Sequence, residues 1–272
     1  MVRGEGRLAG AVVVVTGASR GIGKQVSLAL AREGAQLVLA ARTVDPRPGT
    51  PGTIGDTAAA VAELGPSPLV VPADLSRADD VDRLVTSTLD AFDHVDILIN
   101  NAGYTVGRAI YTHVPNLTRD QWEKVMAINV TAPLMLIQGF WPSMVERGGG
   151  RIVNITSGAA RPTSLDARLD LPATDEIGPA YPASKAALDR MANAIAADGA
   201  PHGIAVVNVA PGRVMTETLA ATLEATGLVD EDAISADVPV SAVVELCTCA
   251  DPMRYSGTVI DAEAFVSQFG GG

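Results

Sequence analysis

Two side chains in the second half of the chain have the types and the spacing needed to transfer a proton. Tyr181 and Lys185 are four positions apart, so both lie on one face if the segment is a helix. A free tyrosine titrates near pH 10 and is a poor base at neutral pH. An ammonium about 4 Å away stabilises a phenolate by about 4 kcal/mol before solvent screening. We therefore expect Lys185 to lower the pKa of Tyr181 by about one to three, which would suit a general acid or base.

This chemistry needs elements that hold the pair and a neighbour that orients the reacting oxygen. Pro182 follows Tyr181, so the helix must begin there, because proline is tolerated only in a first turn. The run from Arg151 to Thr156 predicts a strand, and Ser157 stands at its carboxyl end, the edge where open α/β sheets bind ligands. A serine there is usually a turn residue. The tyrosine and lysine that follow favour a substrate contact instead.

A glycine-rich stretch, TGASRGIG at Thr16–Gly23, has the composition of a phosphate-binding turn. It follows the apolar run Ala11–Val15 and precedes a helical pattern, which predicts a strand, a tight turn and a helix. Glycines at 17, 21 and 23 let the backbone approach a pyrophosphate, and the helix start supplies free N–H groups and positive potential. The spacing differs from the commoner Gly-x-Gly-x-x-Gly, and such a turn can be a mere connection. Its place after the first strand favours a dinucleotide-binding fold.

The end of the second predicted strand, Gln36–Ala41, indicates which dinucleotide binds. Folds that bind NAD carry an acid about 20 residues past the glycines to hold the ribose 2′-hydroxyl, whereas an arginine there accommodates a 2′-phosphate. Here no acid is present, Arg42 comes next, and Arg20 lies inside the glycine turn. Two arginines near one phosphate favour NADP over NAD. The alternative is an unrelated pair of solvated side chains.

Hydrophobic patterns predict helices and strands that alternate along the chain. Asp74 follows one short strand and could cap a helix that begins near Arg77 or meet an adenine ring. Thr118 is a predicted helix cap, and Pro133 is a predicted kink or boundary within one or two helices over 117–145. The remaining predicted helices are 22–33, 54–64, 81–92, part of 213–229, and 238–250, and the remaining strands are 68–71, 95–99, 204–208 and 257–261.

Composition narrows the class of protein. The chain has 272 residues, 47% of them hydrophobic, and a net charge of -11, which argues against nucleic acid as a partner. No apolar run reaches the roughly 18 residues of a membrane span and no cleavage-site pattern is seen, so we expect a cytoplasmic protein. Cys247 and Cys249 are expected to be packing residues rather than a disulfide or a metal site. The Pro/Gly-rich stretch 45–55 is expected to be a loop, which makes residues 1–272 one domain.

Four motifs together resemble the short-chain dehydrogenase/reductase family. They are the glycine motif at 16–23, Asn-Asn-Ala-Gly at 100–103, Tyr-Pro-Ala-Ser-Lys at 181–185, and Pro-Gly at 211–212, and they occur in the family's order. The resemblance implies an α/β fold, a single Rossmann-type doubly wound parallel sheet of about seven strands with helices on both faces. The long loop after the second strand also resembles the hydroxysteroid dehydrogenase-like branch.

The resemblance also assigns roles to residues. It implies that Tyr181 is the general acid in reduction and the general base in oxidation, that Lys185 also holds the nicotinamide ribose, that Ser157 binds the substrate oxygen, and that Asn129 completes a proton relay. A purely structural role of Asn129, tying backbone groups together, is the alternative. The expected cofactor-binding residues are Gly17, Ser19, Arg20, Gly21, Ile22, Gly23, Arg42, Asp74, Leu75, Asn101, Ala102, Gly103, Tyr181, Lys185, Pro211, Gly212, Val214 and Thr216, with no metal.

These features predict an oxidoreductase that interconverts an alcohol and a carbonyl by hydride transfer, with NADP preferred to NAD. A cofactor-binding scaffold or regulator without turnover, and a lyase or epimerase, are the alternatives. The substrate pocket is expected from 104–116, 161–178 and 213–235. The stretch 161–178 exceeds the family's usual length, and is either a surface insertion, a charged lid or a subunit contact. The family and the terminal edge strand predict a homodimer or homotetramer.

Overall fold

The computed structural model describes residues 6–46, 51–104, 112–164, 166, 177–226 and 229–268. Seven parallel strands form one sheet: β1 (Val12–Thr16), β2 (Gln36–Ala41), β3 (Leu69–Pro72), β4 (Ile97–Asn100), β5 (Gly150–Ile155), β6 (Ile204–Ala210) and β7 (Val259–Asp261). The described helices are α1 (Gly21–Arg32), α2 (Ile54–Leu64), α3 (Ala78–Phe92), α4 (Arg119–Met126), α5 (Ala132–Glu146), α6 (Ala180–Gly199), α7 (Glu217–Thr226), α8 (Asp237–Thr248) and α9 (Ala262–Val266).

The strand order, β3-β2-β1-β4-β5-β6-β7, reverses direction between β1 and β4. In open α/β sheets such a reversal opens a crevice at the carboxyl ends of the strands, because the connecting helices leave on opposite faces. The predicted Rossmann-type doubly wound sheet of seven strands is therefore confirmed. Its switch point lies next to the glycine turn that follows β1.

The sheet is buried on both faces, which explains why its strands are almost continuous runs of valine, isoleucine and leucine. On one face, Leu30 of α1 and Leu246 of α8 pack with inward side chains of the strands. On the other face, Leu84 of α3 and Phe140 of α5 do so, and both are fully buried. Cys247 is buried in the first of these clusters, as expected of a packing residue.

Most predicted elements are present, with small differences at their ends. The bounds of β2 and α2 agree with prediction, and α2 begins at a capping box formed by Thr53 and Asp56. Of the two uses that the sequence allows for Asp74, the cap of α3 is not formed. Arg77 precedes that helix without a side-chain cap, and the Asp74 carboxylate instead accepts from the backbone N and the hydroxyl of Ser76.

The predicted helical region 117–145 is two α-helices joined by one π-helical turn, Ala127–Thr131. Thr118 begins α4 with a capping box to Gln121, which confirms the predicted cap. Pro133 lies in the first turn of α5, where proline is tolerated, and the irregularity precedes it. A π turn inserts an extra residue and turns the local side chains, and here it carries Asn129.

The continuous helical stretch Arg119–Glu146 has the length and apolar composition that could cross a membrane, which the sequence reasoning did not anticipate. Much of its apolar surface is already used, because Leu136, Phe140 and Met144 are fully buried in the protein. The same length and composition also occur in the core helices of soluble proteins, and 44% of the most apolar window of this stretch is buried here.

Candidate functional site

The predicted site residues gather at one edge of the sheet, because each group follows the carboxyl end of a different strand. Residues 17–23 follow β1, Arg42 follows β2, Asp74 and Leu75 follow β3, and 101–103 follow β4. Ser157 follows β5 and residues 211–216 follow β6. The sheet thus brings together groups that lie up to about 200 positions apart in the sequence.

The glycine turn is held by a clamp between β1 and β4. The hydroxyl of Thr16 accepts from the backbone N of both Asn101 and Ala102 at 3.0 Å, and it donates to the carbonyl of Ile99. The Asn101 side-chain amide donates to the carbonyls of Thr16, at 2.8 Å, and Gly17. Thr16 was quoted in the motif but was not predicted as a site residue.

Two of the three glycines leave no room for a side chain. Gly17 has a φ of +67°, and a Cβ there would lie 2.8 Å from Ala102 Cα and from Asn101 Nδ2. A Cβ on Gly23 would overlap the Asn101 amide and the Gly17 carbonyl. Gly21 differs, since its φ of +55° is the constraint and the methyl of Thr216 is its nearest neighbour. Glycine is therefore needed at 17 and 23 because other parts of the chain pack directly against their backbone, as the composition of the turn predicts.

The N-terminus of α1 binds a carboxylate, and no sequence pattern predicted this contact. The backbone N of Gly21 donates to Oε2 of Glu217, the first residue of α7, at 2.9 Å. The N-terminus of a helix attracts negative charge, so a carboxylate is favourable there. Thr216, the preceding residue, places its methyl beside Gly21. The predicted residues Thr216 and Gly21 are therefore neighbours.

Arg20 spans from the glycine turn to the end of β2. Its guanidinium donates to the Thr43 hydroxyl at 2.6 Å and approaches the Gly52 carbonyl at 3.4 Å. Thr43 is the residue after Arg42, so both predicted arginines lie at the same corner of the sheet. Arg42 is exposed and also lies close enough to act on the Asp74 carboxylate. Ser19 and Leu75 are largely buried beside these loops.

The loop after β6 carries the remaining predicted cofactor residues. Pro211 is buried, and Gly212 has a φ of +77°, which only glycine adopts readily. Val214 forms an isolated parallel bridge with Ile234, and Thr216 accepts from the backbone N of Leu219. The bridge at Val214 therefore fixes the loop just before Thr216, the residue that approaches the glycine turn.

Tyr181 and Lys185 share one face of α6, which begins at Ala180, so Pro182 falls in the first turn as predicted. The Lys185 ammonium lies 5.8 Å from the centre of the Tyr181 ring and donates to the carbonyl of Ile155, at the end of β5, at 2.8 Å. Lys185 is 3% exposed. Burial lowers the pKa of Lys185 to about 8, and the Asp189 carboxylate acts in the opposite direction. The side chain therefore keeps its charge at neutral pH.

Asn129 ties α6 to the π turn. Its Oδ1 accepts from the backbone N of Tyr104 at 2.7 Å, and its Nδ2 donates to the Ser184 hydroxyl at 2.9 Å. That hydroxyl donates in turn to the carbonyl of Tyr181. Asn129 is thus within two hydrogen bonds of the predicted catalytic helix turn, and Ser184 is a residue that the sequence reasoning missed.

Ser157 precedes a short 3₁₀ turn, Gly158–Ala160, that packs against α6. Its hydroxyl oxygen accepts from the backbone N of Ala159 at 3.2 Å. The expected lid or contact at 161–178 falls mostly outside the described residues, as do residues 105–111 of the expected pocket segment 104–116.

The comparisons with known proteins agree with this architecture. The family model described as short chain dehydrogenase matches residues 11–226, so the chain belongs to the short-chain dehydrogenase/reductase family. A 3-oxoacyl-[acyl-carrier-protein] reductase from Synechocystis sp. is 34% identical over 76% of this chain and 75% of its own. With such relatives, the protein is an oxidoreductase that acts on alcohol or carbonyl groups.

Two solved structures extend the likeness over nearly the whole chain. A metagenomic short-chain oxidoreductase in complex with NADP has a TM-score of 0.73 and 29% identity, and covers 94% of this chain and 98% of its own. L-Sorbose reductase from Gluconobacter frateurii, complexed with NADPH and L-sorbose, has a TM-score of 0.80 and 26% identity, with 94% and 96% covered. Membership of the hydroxysteroid dehydrogenase-like branch is not supported by these matches.

The tight packing around Gly23 generates a prediction about stability. Gly23→Ala should lower the free energy of unfolding by about 1–3 kcal/mol, because the new methyl group displaces the Asn101 amide or the Gly17 carbonyl. Urea denaturation followed by circular dichroism measures the change. Gly158→Ala is the control, since a Cβ there meets nothing within 4 Å. Equal stabilities of the two variants would contradict the clamp.

Proposed function

We propose that the protein is an NADP-preferring oxidoreductase in which Ser157, Tyr181, Lys185 and Asn129 form the catalytic tetrad. The observation that carries the proposal is the buried Lys185 ammonium beside the Tyr181 ring at the carboxyl edge of the sheet. An arrangement for structure alone does not need a buried cation next to a phenol. A cation there favours the phenolate and so prepares the hydroxyl to release a proton.

Each of the four proposed catalytic residues has a different role in the reaction. In reduction, the Tyr181 hydroxyl would give its proton to the carbonyl oxygen as the carbonyl carbon takes up a hydride. In oxidation the phenolate takes the alcohol proton as hydride leaves the carbon. Ser157 holds the oxygen, and Lys185 stabilises the phenolate. Asn129 fixes the turn of α6 on which Tyr181 stands, through Ser184.

The glycine turn fits a nicotinamide dinucleotide, which supplies or accepts the hydride when bound. Gly17 and Gly23 keep the backbone open at the start of α1, and the Gly21 N–H already binds an anionic oxygen from Glu217. In this proposal that N–H binds the diphosphate, Asn101 to Gly103 and residues 211–216 line its path, and Asp74 and Leu75 meet the adenine.

The preference for NADP rests on the corner formed by Arg20 and Arg42. Arg20 donates to the Thr43 hydroxyl, and Thr43 follows Arg42. Both cations therefore lie next to the loop that follows β2, where a 2′-phosphate would bind. The strand itself ends without an acid, and the next residue is Arg42 rather than an acid that would bind a 2′-hydroxyl. Both structures described above contain NADP or NADPH, which supports this preference.

The substrate is an alcohol or carbonyl compound of small size, and the relatives differ in what their names say they reduce. Steroid-sized alcohols belong in a substrate screen because of the long loop after β2, whose residues 47–50 lie outside the described residues.

We also propose a cytoplasmic homodimer or homotetramer. Edge strand β7 carries Val259, which is 38% exposed and available for pairing.

Removal of the Tyr181 hydroxyl tests the catalytic assignment. Tyr181→Phe should lower kcat by about 10²–10⁴ or more on any carbonyl that the native protein reduces, because no proton donor remains. NADPH affinity, measured by calorimetry, should change little. Substantial remaining turnover would overturn the tetrad. Cofactor binding by a native protein that turns over no screened carbonyl or alcohol would support the scaffold alternative.

Calorimetry with NADPH and NADH in one buffer tests the cofactor preference. NADPH should bind more tightly, and Arg42→Ala should weaken NADPH binding by roughly tenfold or more while leaving NADH nearly unchanged, because it removes a charged partner of the 2′-phosphate. Arg32→Ala, at the exposed far end of α1, is the control. Tighter binding of NADH would show that the missing acid after β2 does not select NADP.

Glu217 makes a separate prediction, because its carboxylate holds the N–H that the diphosphate needs. Glu217→Gln should tighten NADPH binding by about fivefold, since a neutral acceptor competes less well for a helix N-terminus. The exposed Glu224 lies on the same helix, and Glu224→Gln removes the same charge as a control. Equal effects of both variants would mean that general charge, and not the Gly21 contact, controls affinity.

A further inference from the structure

A line of buried amides crosses three strands of the sheet and ends on α6. Asn100, Asn154 and Asn208 lie opposite one another on β4, β5 and β6. Asn100 Nδ2 donates to Asn154 Oδ1 at 2.9 Å, and Asn154 Nδ2 donates to Asn208 Oδ1 at 2.8 Å. Asn208 Nδ2 then donates to Asp189 Oδ1 at 2.7 Å. All three asparagines are at least 97% buried.

The line has one direction, and Asp189 determines it. Every amide donates towards the carboxylate, and the surplus acceptor is left at the opposite end, where Asn100 Oδ1 has no partner within the described residues. Reversing the three amides would put the Asn208 oxygen against the Asp189 oxygen, which is repulsive for a carboxylate. Aligned hydrogen bonds also polarise one another and so stabilise the negative charge at their end.

The position of Asp189 on α6 connects this line to the catalytic pair. Tyr181, Lys185 and Asp189 are spaced by four residues, so the three side chains follow one another along one face of the helix. The Lys185 ammonium lies 5.8 Å from the centre of the Tyr181 ring, and the Asp189 carboxylate, one turn further along the helix, is close enough to act on its charge. Asp189 is half-buried, which leaves its field less screened than that of an exposed acid.

We propose that Asp189 is a positioning residue that keeps the Lys185 ammonium charged and in place, and that the line of asparagines holds the Asp189 carboxylate in its orientation. The catalytic importance of Asp189 rests on the proposed function. Its effect on the charge of Lys185 does not, because that charge can be measured without any substrate. Asp189 is thus a residue of the site that the motifs do not mark.

No other charge in the described residues has the same access to Lys185. The 3₁₀ turn Gly158–Ala160 and the π turn Ala127–Thr131, which pack on α6, carry no titratable side chain. In α4, Lys124 lies over the ring of Tyr104. His202, after α6, packs on Trp141 at the far end of that helix. Among the described residues, Asp189 is therefore the charged group that acts on the Lys185 ammonium.

The sign of its effect follows from the charges. Burial lowers the pKa of Lys185 to about 8, and Asp189 raises it. Removing the carboxylate charge therefore lowers that pKa further, so Lys185 loses its proton nearer to neutral pH. A neutral lysine no longer favours the Tyr181 phenolate.

The chain contains three lysines, at 24, 124 and 185, so lysine-selective carbon-13 labelling gives three titration curves by NMR. Lys24→Arg and Lys124→Arg assign two of them and leave Lys185 intact. Asp189→Asn keeps the size of the side chain and an oxygen that can accept from Asn208, but it removes the negative charge. We expect this variant to lower the Lys185 titration midpoint by about one pH unit, and Asp189→Glu to keep it near the native value.

Asp198→Asn is the matched control, because Asp198 lies exposed on the same helix and loses the same charge. An unchanged Lys185 midpoint in Asp189→Asn, or an equal shift in Asp198→Asn, would overturn the inference. A structural role alone would change stability without moving the midpoint. The result is separate from the proposed function, because an active Tyr181→Phe variant would refute the tetrad and leave the titration as measured.

Discussion

The buried ammonium of Lys185 is the group on which the arrangement of the site depends. An ion removed from water costs several kcal/mol unless other groups replace its hydration. Here the Ile155 carbonyl accepts from it directly, and Asp189 supplies an opposite charge one helical turn further along. Helix α6 must therefore lie within hydrogen-bond distance of the end of β5. That requirement also brings Ser157, two residues past Ile155, close to the helix that carries Tyr181 and Lys185.

The dipeptide Asn100-Asn101 joins the two halves of the site. Asn101 turns its amide to the glycine turn and holds it closed against β1. Asn100 turns to the next strand and begins the line of amides that ends at Asp189. Successive residues at a strand end point in opposite directions, so two neighbouring side chains can act on separate parts of one edge. The glycine turn and helix α6 are thus positioned from the same strand.

The π turn supplies the second support of α6. A regular helix through 127–131 would rotate Asn129 away, whereas the extra residue lets its amide meet both the Tyr104 backbone and the Ser184 hydroxyl. Helix α6 is held by Ser184 on this side and by the Lys185 and Asp189 contacts with β5 and β6. These two supports fix the Tyr181 phenol relative to the Lys185 ammonium, which the proposed proton transfer needs.

Local sequence patterns determined much of this protein. The glycine turn, the bounds of β2 and α2, the cap at Thr118 and the start of α6 before Pro182 all depend on neighbours within a few residues, so they could be recognised from the sequence. The motifs also marked the residues that the sheet gathers at its carboxyl edge. For Asp74 the sequence left a helix cap and an adenine contact open, because an acid near a helix start has several local uses; in the fold its carboxylate accepts from Ser76 and does not cap α3.

The tertiary structure alone decided the contacts between distant residues. Glu217 meets Gly21 across 196 positions, and the three asparagines lie side by side because the strands adopt one particular register. A register shift of one residue would turn each asparagine to the opposite face. No local propensity encodes such a match, because it depends on how whole strands align. The residue types and the spacing of Lys185 and Asp189 were therefore readable from the sequence, whereas the line of asparagines that reaches Asp189 became visible only in the folded chain.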